Sequence, residues 1–353
     1  MKKLLRFLGI LLLIVVILAG LGVGALTLFE YRPAEIEAAE MSGTANSALQ
    51  FRTDSTVTLV TWNVGYGALG KDADFFMDGG TKVYTVDSAD QVKANLKGIT
   101  NRLIGLSADI ILLQEVDADS ARSFWVDERS ALSSGLSGRV TAYARNYKAL
   151  YVPYPIPPMG KVESGLFTLS KRGMSEAYRV SLPSPFSWPV STVNLKRCLL
   201  VARYPLADSD RDLVVINVHL DAYTDDASRT QQTKALFAFM DKEVAKGNYV
   251  IAGGDFNASF DTYAKAYPVR DENNWHPGVI TDAEYGDYGV HMDPNTPTCR
   301  SLRTSYDVSN DFQFYMLDGF IVSPNIVVTT VKTYDEGFAY SDHNPVKITV
   351  RLN

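Results

Sequence analysis

Six short stretches carry side chains that could act together. One is Gly253-Gly254-Asp255-Phe256-Asn257, which follows the apolar run Tyr249-Val250-Ile251-Ala252. Such a run reads as a buried strand, and the two glycines read as a tight corner at its end. Asp255 and Asn257, two apart in an extended segment, then present a carboxylate and an amide on the same side while Phe256 points into the core. Alone, a Gly-Asp-x-Asn sequence is more simply an Asx turn. The pattern recurs, however. Val57-Thr58-Leu59-Val60-Thr61-Trp62 leads to Asn63, Ile110-Ile111-Leu112-Leu113-Gln114 to Glu115, and Leu213-Val214-Val215-Ile216-Asn217-Val218 to His219. Met316-Leu317 leads to Asp318, and Ser341-Asp342-His343 precedes a final strand, Val346 to Leu352. Carboxylates with an amide suit a hard divalent cation, and imidazole suits proton transfer near neutral pH.

The elements that must position these groups are legible from periodicity. Val92, Leu96, Ile99, Leu103 and Leu106 fall at spacings of three and four, the mark of an amphipathic helix from about Asp90 to Leu106. A second helix is expected from Ala227 to Lys246, with Leu236, Phe239, Met240 and Val244 on one face, and further strands at residues 163–171 and 198–204. Strands outnumber helices and many are consecutive, which favours stacked sheets with helices outside over a wholly parallel sheet. No internal repeat or composition break divides residues 56–353, which read as one domain. Residues 30–55, rich in Ala, Glu, Ser and Thr, read as a tether.

The 353 residues, 46% hydrophobic and 21% charged, can bury an ordinary globular core. Residues 7–29 carry no charge, and as a helix they would span roughly 35 Å, enough for a ~30 Å hydrocarbon layer. Lys2, Lys3 and Arg6 precede this segment while Glu30, Glu35, Glu37 and Glu40 follow it, so the positive-inside rule leaves the N-terminus in the cytoplasm. Residues 1–29 are therefore expected to be an uncleaved anchor in the cell membrane, single-pass, with the remainder extracytoplasmic. A cleavable signal peptide is the competing reading, but a small-residue A-x-A-like site is poorly matched. Without the anchor's three basic residues the net charge moves from −6 to −9, a poor match to a polyanion, so nucleic acid is not a favoured partner. Whether the two cysteines, Cys198 and Cys299, pair is open, although Cys198 lies in an apolar run where a buried thiol is expected.

Taken together, Thr61-Trp62-Asn63, Gln114-Glu115, Val218-His219-Leu220, Gly254-Asp255-Phe256-Asn257, Leu317-Asp318 and Ser341-Asp342-His343 resemble the endonuclease/exonuclease/phosphatase superfamily of metal-dependent phosphoesterases, over residues 57–353. The resemblance implies an α+β fold, a four-layer αββα sandwich with the site in a cleft at one rim of the two sheets. It implies Mg2+, with Mn2+ or Ca2+ as substitutes, held by Glu115 with Asn63 and Asp342 nearby. Asp255 and Asn257 would orient the attacking water and hold the phosphate, and His343 would pair with Asp318. Glu163 is the expected partner of His219, and Arg197, ahead of a strand, the expected guanidinium for phosphoryl oxygens.

The expected activity is hydrolysis of a phosphate ester, a phosphodiester by preference, with a lipid headgroup or small phosphodiester favoured as substrate. An extracellular nuclease of the same fold, or a surface module that binds without catalysis, are the alternatives. Two stiff aromatic stretches bear on substrate: Tyr147 to Met159, with Tyr151, Tyr154 and four prolines, and Pro185-Phe186-Ser187-Trp188-Pro189. They could wall a cleft, touch lipid or simply pack on their own domain. His276 and His291 lie outside any motif and read as surface residues. The sequence leaves the oligomeric state open.

Overall fold

The computed structural model describes residues 1–44, 50–223, 226–272, 274–307 and 312–353. Two seven-stranded mixed sheets face each other. One runs, in spatial order, Ile326–Thr333, Val346–Leu352, Thr56–Asn63, Ile110–Asp117, Gly160–Ser170, Val140–Val152 and Glu40–Ser42. The other runs Ile36–Ala38, Glu176–Ser181, Cys198–Pro205, Asp212–His219, Tyr249–Asp255, Asp318–Val322 and Gly289–His291. Helices Ala89–Leu106 and Glu128–Gly135 cover the outer face of the first, and Asp226–Val244 covers the second. The expected αββα sandwich is the fold observed.

The central strands read as unbroken apolar runs because both of their faces are buried. Leu59, Ile110, Leu112, Val215 and Ile251 point between the sheets, while the alternate residues Val60, Ile111, Leu113, Val214, Ile216 and Val250 pack under the helices. One register above the apolar layer the inter-sheet positions turn polar. Gln114 Nε2 donates to Asn217 Oδ1 at 2.7 Å, and Asn217 Nδ2 donates to the Leu113 carbonyl of the opposite sheet at 3.0 Å. This bridge ties the sheets together directly beneath their rim. Asn217→Ala is expected to lower unfolding stability by ~1–3 kcal/mol, because Gln114 and a buried carbonyl lose their partner; urea unfolding followed by circular dichroism would measure it.

Residues expected to be a plain tether prove to be partly structural. Ile36–Ala38 pairs with Glu176–Ser181 and Glu40–Ser42 with Val140–Val152, so the segment adds an edge strand to each sheet. Its alternation is too short to read as a strand, but unpaired sheet edges recruit extended chain. Residues 45–49 of the same segment lie outside the described residues. Lys2–Leu28 is a single exposed helix of mean hydropathy 2.9 in its most apolar window, a candidate membrane span or signal sequence. Both cysteines are buried and unpaired with each other.

Candidate active site

The rim of the sandwich collects the chemistry by topology. In each sheet the central pair of strands is parallel, Thr56–Asn63 with Ile110–Asp117 and Asp212–His219 with Tyr249–Asp255, so Asn63, His219 and Asp255 all end at one edge. The antiparallel neighbours begin there: Asp318 opposes Asp255, and Val346, opposite Thr61, follows the Ser341-Asp342-His343 loop. Asn63, His219, Asp255 and Asp318 occupy the same inter-sheet face as the apolar layer below, continued to the ends of the strands. A strand end that delivers a polar residue is thus the apolar core's own alternation run out to the solvent edge.

Glu115 breaks that alternation, and the backbone shows how. Gln114 already faces the opposite sheet, so a regular strand would send Glu115 outward under the helix. Instead Glu115 has φ +53, the register with Gly160–Ser170 shifts between Leu113 and Val116, and Val116 joins the outer core in its place. The bulge re-aims one side chain. A non-glycine residue held in this left-handed region at a strand end is a strain that recurs at functional sites.

The groups converge closely. Asn63 Nδ2 donates to Glu115 Oε1 at 3.1 Å and to Asp255 Oδ2 at 3.0 Å. Asp255 Oδ2 also lies 3.4 Å from His219 Nε2 and 3.7 Å from His343 Nε2, while its Oδ1 accepts the Asn257 backbone N–H at 2.9 Å. Asp318 Oδ2 is 2.7 Å from His343 Nδ1, which fixes the ring's orientation, and Thr298 Oγ1 accepts the Asp318 N–H. The loop bearing His343 is pinned to the strand end: Trp62 Nε1 donates to the His343 carbonyl and Ser341 Oγ to the Asn63 carbonyl. Asn257, at φ +46, donates its side-chain amide to the Leu220 carbonyl.

Local fields separate the two histidines. Burial, aided by the positive charges of Arg197, His343 and Arg122, holds His219 well below the usual imidazole range. Burial would lower His343 too, but Asp318 above all, with Asp255 and Asp342, carries it well above that range. Burial pushes the Asp318 carboxyl up to about 6 against the pull of His343, and burial, with repulsion from Glu115, pushes Asp342 up to about 7. A neutral and a cationic imidazole on either side of one carboxylate is an arrangement suited to paired proton transfers.

A divalent cation fits this donor set. Glu115 and Asp342 offer hard carboxylate oxygens, with the Asn63 amide, whose Oδ1 accepts the Gly65 N–H at 3.0 Å, beside them. Asp342 is a carboxylate whose acidity is suppressed first by burial and then by repulsion from Glu115, the situation a cation relieves. Asp342 and Asp255 also fall in clusters with His343 whose ligand atoms lie within 4.8 Å of one another, one completed by Cys299 and the other by Asp318. Those clusters contain a histidine already bonded to Asp318 and, in one, a thiol that burial pushes up to about 12. The oxygen set around Glu115 is therefore the better match to a hard ion.

Two expectations need correcting. Glu163 does not partner His219: it pairs with Arg145 and with Lys148, the latter at 3.3 Å, and His219 Nδ1 is buried with no partner among the described residues. Along this strand Leu166 and Thr168 face the other sheet, so by alternation Ser164, not Glu163, is the residue that points into the site. The second concerns Gly253 and Gly254, which make no corner. They are paired within the strand, and the chain turns only at Asn257.

Arg197 does line the cavity at the site, with its Nε donating to Asp221 Oδ1 at 3.0 Å. Sequence reasoning missed Arg122, buried between a two-pronged bond to Asp117 and the face of Tyr66, 3.7 Å from the ring centre. Asn146 and Ser164 were missed as well. Both line the cavity with buried side-chain atoms that have no partner among the described residues. Only strand parity, applied to Val140–Val152 and Gly160–Ser170, could have pointed to these two. His291 is half-buried in an edge strand rather than on the surface.

The cavity above these groups holds about 440 Å³. Its polar floor is Asn63, Glu115, His219, Asp255 and His343, and its walls are largely apolar, among them Phe75, Phe76, Tyr147, Val152, Tyr154 and Trp275. Tyr223, also in the wall, bonds Asp78.

The profile described as the Endonuclease/Exonuclease/phosphatase family matches residues 60–343 of this chain. No curated protein matches the sequence. Among solved structures, an endonuclease/exonuclease/phosphatase from Beutenbergia cavernae is similar at 16% identity and a TM-score of 0.56, over 84% of this chain and 72% of that one. A Bacteroides thetaiotaomicron protein of the same family is similar at 15% identity and 0.52, over 85% and 99%. The human Nocturnin catalytic domain with bound sulfate anion is similar at 16% and 0.51, over 89% and 98%. At such identities these structures speak for the fold, while the profile spans most of the chain and includes every motif from Trp62 to His343. The chain belongs to the endonuclease/exonuclease/phosphatase family and is an enzyme of the metal-dependent phosphoesterase class.

Proposed function

We propose that this enzyme hydrolyses a phosphodiester outside the cytoplasm with Mg2+, and that its substrate is compact, a lipid headgroup or small phosphodiester rather than a nucleic-acid polymer. The observation that carries the choice of substrate is the cavity: a recess of about 440 Å³ with largely apolar walls above a polar floor suits one headgroup, whereas a polymer needs a long basic groove. The negative charge of the chain beyond the anchor points the same way.

Glu115, Asn63 and Asp342 would hold the cation, with Mn2+ or Ca2+ able to replace Mg2+. When bound it supplies neutralisation of charge on the phosphoryl oxygens. Asp255, between the two histidines and steadied by Asn63 and Asn257, is placed to orient a water. His343, fixed through Asp318, is a proton carrier, and His219 is a second at the opposite side of Asp255. Arg197 and the Asn257 amide are the donors proposed for phosphoryl oxygens.

The test is a substrate panel. Full-length protein in detergent, with Mg2+, is offered bis(p-nitrophenyl) phosphate, phospholipid in mixed micelles, and duplex DNA. Hydrolysis of the first two, abolished by EDTA and restored by Mg2+, is expected. Cleavage of DNA without turnover of either would overturn the choice of substrate, and activity indifferent to EDTA would overturn the role of the cation.

A further inference from the structure

We infer that the loops at residues 150–156 and 186–190 form a second membrane contact, which seats the mouth of the cavity on the same bilayer that Lys2–Leu28 crosses. This deepens the reading just given and rests on it for the substrate, although the docking itself does not.

The depth of one loop is set by a hydrogen bond. Trp188 Nε1 donates to Thr27 Oγ1 at 3.0 Å, and Thr27 lies in the last turn of the apolar helix, two residues before the uncharged segment ends at Phe29. Just beyond it Glu30 accepts from Ser191 Oγ at 3.0 Å and Lys196 Nζ at 3.1 Å. If the helix spans a bilayer, the indole of Trp188 must lie at the level where hydrocarbon meets headgroup, the depth that tryptophan favours. The charged cluster of Glu30, Arg32 and Lys196 then lies at the headgroups.

Around this fixed point the protein exposes an apolar surface that its own fold leaves uncovered. Trp188 is 62% exposed, Tyr154 69% and Ile156 92%, with Leu150, Tyr151 and Val190 also exposed. The helix packs against both Val140–Val152, the strand that leads into the first loop, and Val190–Val193, the short helix that follows the second. Large side chains concentrated beside a membrane helix have the bilayer as their nearest apolar phase. Because the helix already holds the domain at the surface, even shallow insertion suffices to fix its orientation.

The same stretch that is apolar outside walls the cavity inside. Val152, Pro153 and Tyr154 line it, and the Tyr154 ring lies 6.0 Å from that of Phe76, a second wall residue. An amphiphilic phosphoester could therefore pass from the bilayer along Tyr154 to the polar floor, with its apolar part always in contact with apolar surface.

The test uses the full chain in phosphatidylcholine vesicles. Cysteines 198 and 299 are buried, so a nitroxide can be placed on single variants Ile156→Cys and, as a control, Val327→Cys. Val327 is exposed on the edge strand at the far side of the same sheet from Val140–Val152. The label at 156 should be relaxed by oxygen and shielded from a water-soluble nickel chelate at least tenfold more than the label at 327. Equal exposure of both to nickel overturns the docking surface. A label on Ile14→Cys that reports water would overturn the membrane span and the docking surface together. Ile156→Glu should lower turnover of vesicle phospholipid tenfold or more while hydrolysis of bis(p-nitrophenyl) phosphate is unchanged. Equal loss on both substrates would overturn entry from the bilayer. Shielding at 156 in a protein that hydrolyses no ester supports the docking surface and overturns only the proposed function.

Discussion

Glu115→Ala is expected to lower kcat by about a thousandfold with the fold intact, in line with the ~3–4 kcal/mol that a lost transition-state electrostatic contact costs. The reason lies in what this side chain does for stability, which is little. It holds φ +53 in a bulge, a conformation alanine adopts at similar cost. Its carboxylate repels Asp342 and Glu128, both buried acids whose pKa it raises. Its bond to Asn63 is one of two that the amide donates, and Asp255 keeps the other. Removal should therefore leave the midpoint of thermal unfolding within a few degrees of wild type, or raise it. Measurement of kcat on bis(p-nitrophenyl) phosphate across a Mg2+ titration, beside a melting curve, checks both halves. Activity within tenfold of wild type at saturating Mg2+ would remove Glu115 from the chemistry.

Gly254→Ala should do the opposite and act through stability. A Cβ at this position would sit 1.9 Å from the Val218 carbonyl oxygen and within 3 Å of two further backbone atoms of the same residue. No rotamer can relieve a clash with backbone in the middle of a seven-stranded sheet, so the pairing of Tyr249–Asp255 with Asp212–His219 must open. Overpacking a core costs ~1–3 kcal/mol and occasionally more, and a rigid backbone neighbour puts this substitution at or above ~3 kcal/mol. Because the pairing Asp255–His219 is the last step of that register, activity should fall with stability and recover in part under stabilising osmolyte. Unchanged denaturant midpoints would show that the strands part there without cost.

The two expectations contrast a residue held at some cost for chemistry with one whose smallness lets two strands meet. The glycine pair illustrates how a correct signal can carry a wrong cause. In the sequence Gly253 and Gly254 read as a corner, yet in the sheet a Cβ on Gly253 would strike the Phe320 ring and one on Gly254 a neighbouring carbonyl. Sequence cannot distinguish a glycine needed for its torsions from one needed for its lack of volume, since both leave the same letter.

By itself the sequence determined the central strands, the two long helices packed on them and the polar residues at the strand ends, because all three follow from local periodicity. A strand buried on two faces must be apolar until it reaches an edge, and what stands at that edge is visible as the first polar letter. The outer strands Val140–Val152, Glu176–Ser181 and Ile326–Thr333 and the helix Glu128–Gly135 carried no such signal. It also determined the apolar N-terminal helix and, through the joint occurrence of six motifs, the family. The tertiary structure alone decided which edges coincide. Two parallel pairs pointing the same way bring Asn63, His219 and Asp255 to one rim, and their antiparallel partners bring Asp318 and His343 to it from the far end of the chain. It alone decided that Glu115 faces the site, through a bulge no period reveals, and that Glu163 does not, because strand parity gives the place to Ser164. The uncharged end of the N-terminal helix and the Trp188 loop are 161 positions apart in sequence, and only the folded chain brings Trp188 against Thr27. Local order is written in neighbouring residues, whereas convergence depends on pairings between strands far apart, and those are fixed only when the whole sandwich closes.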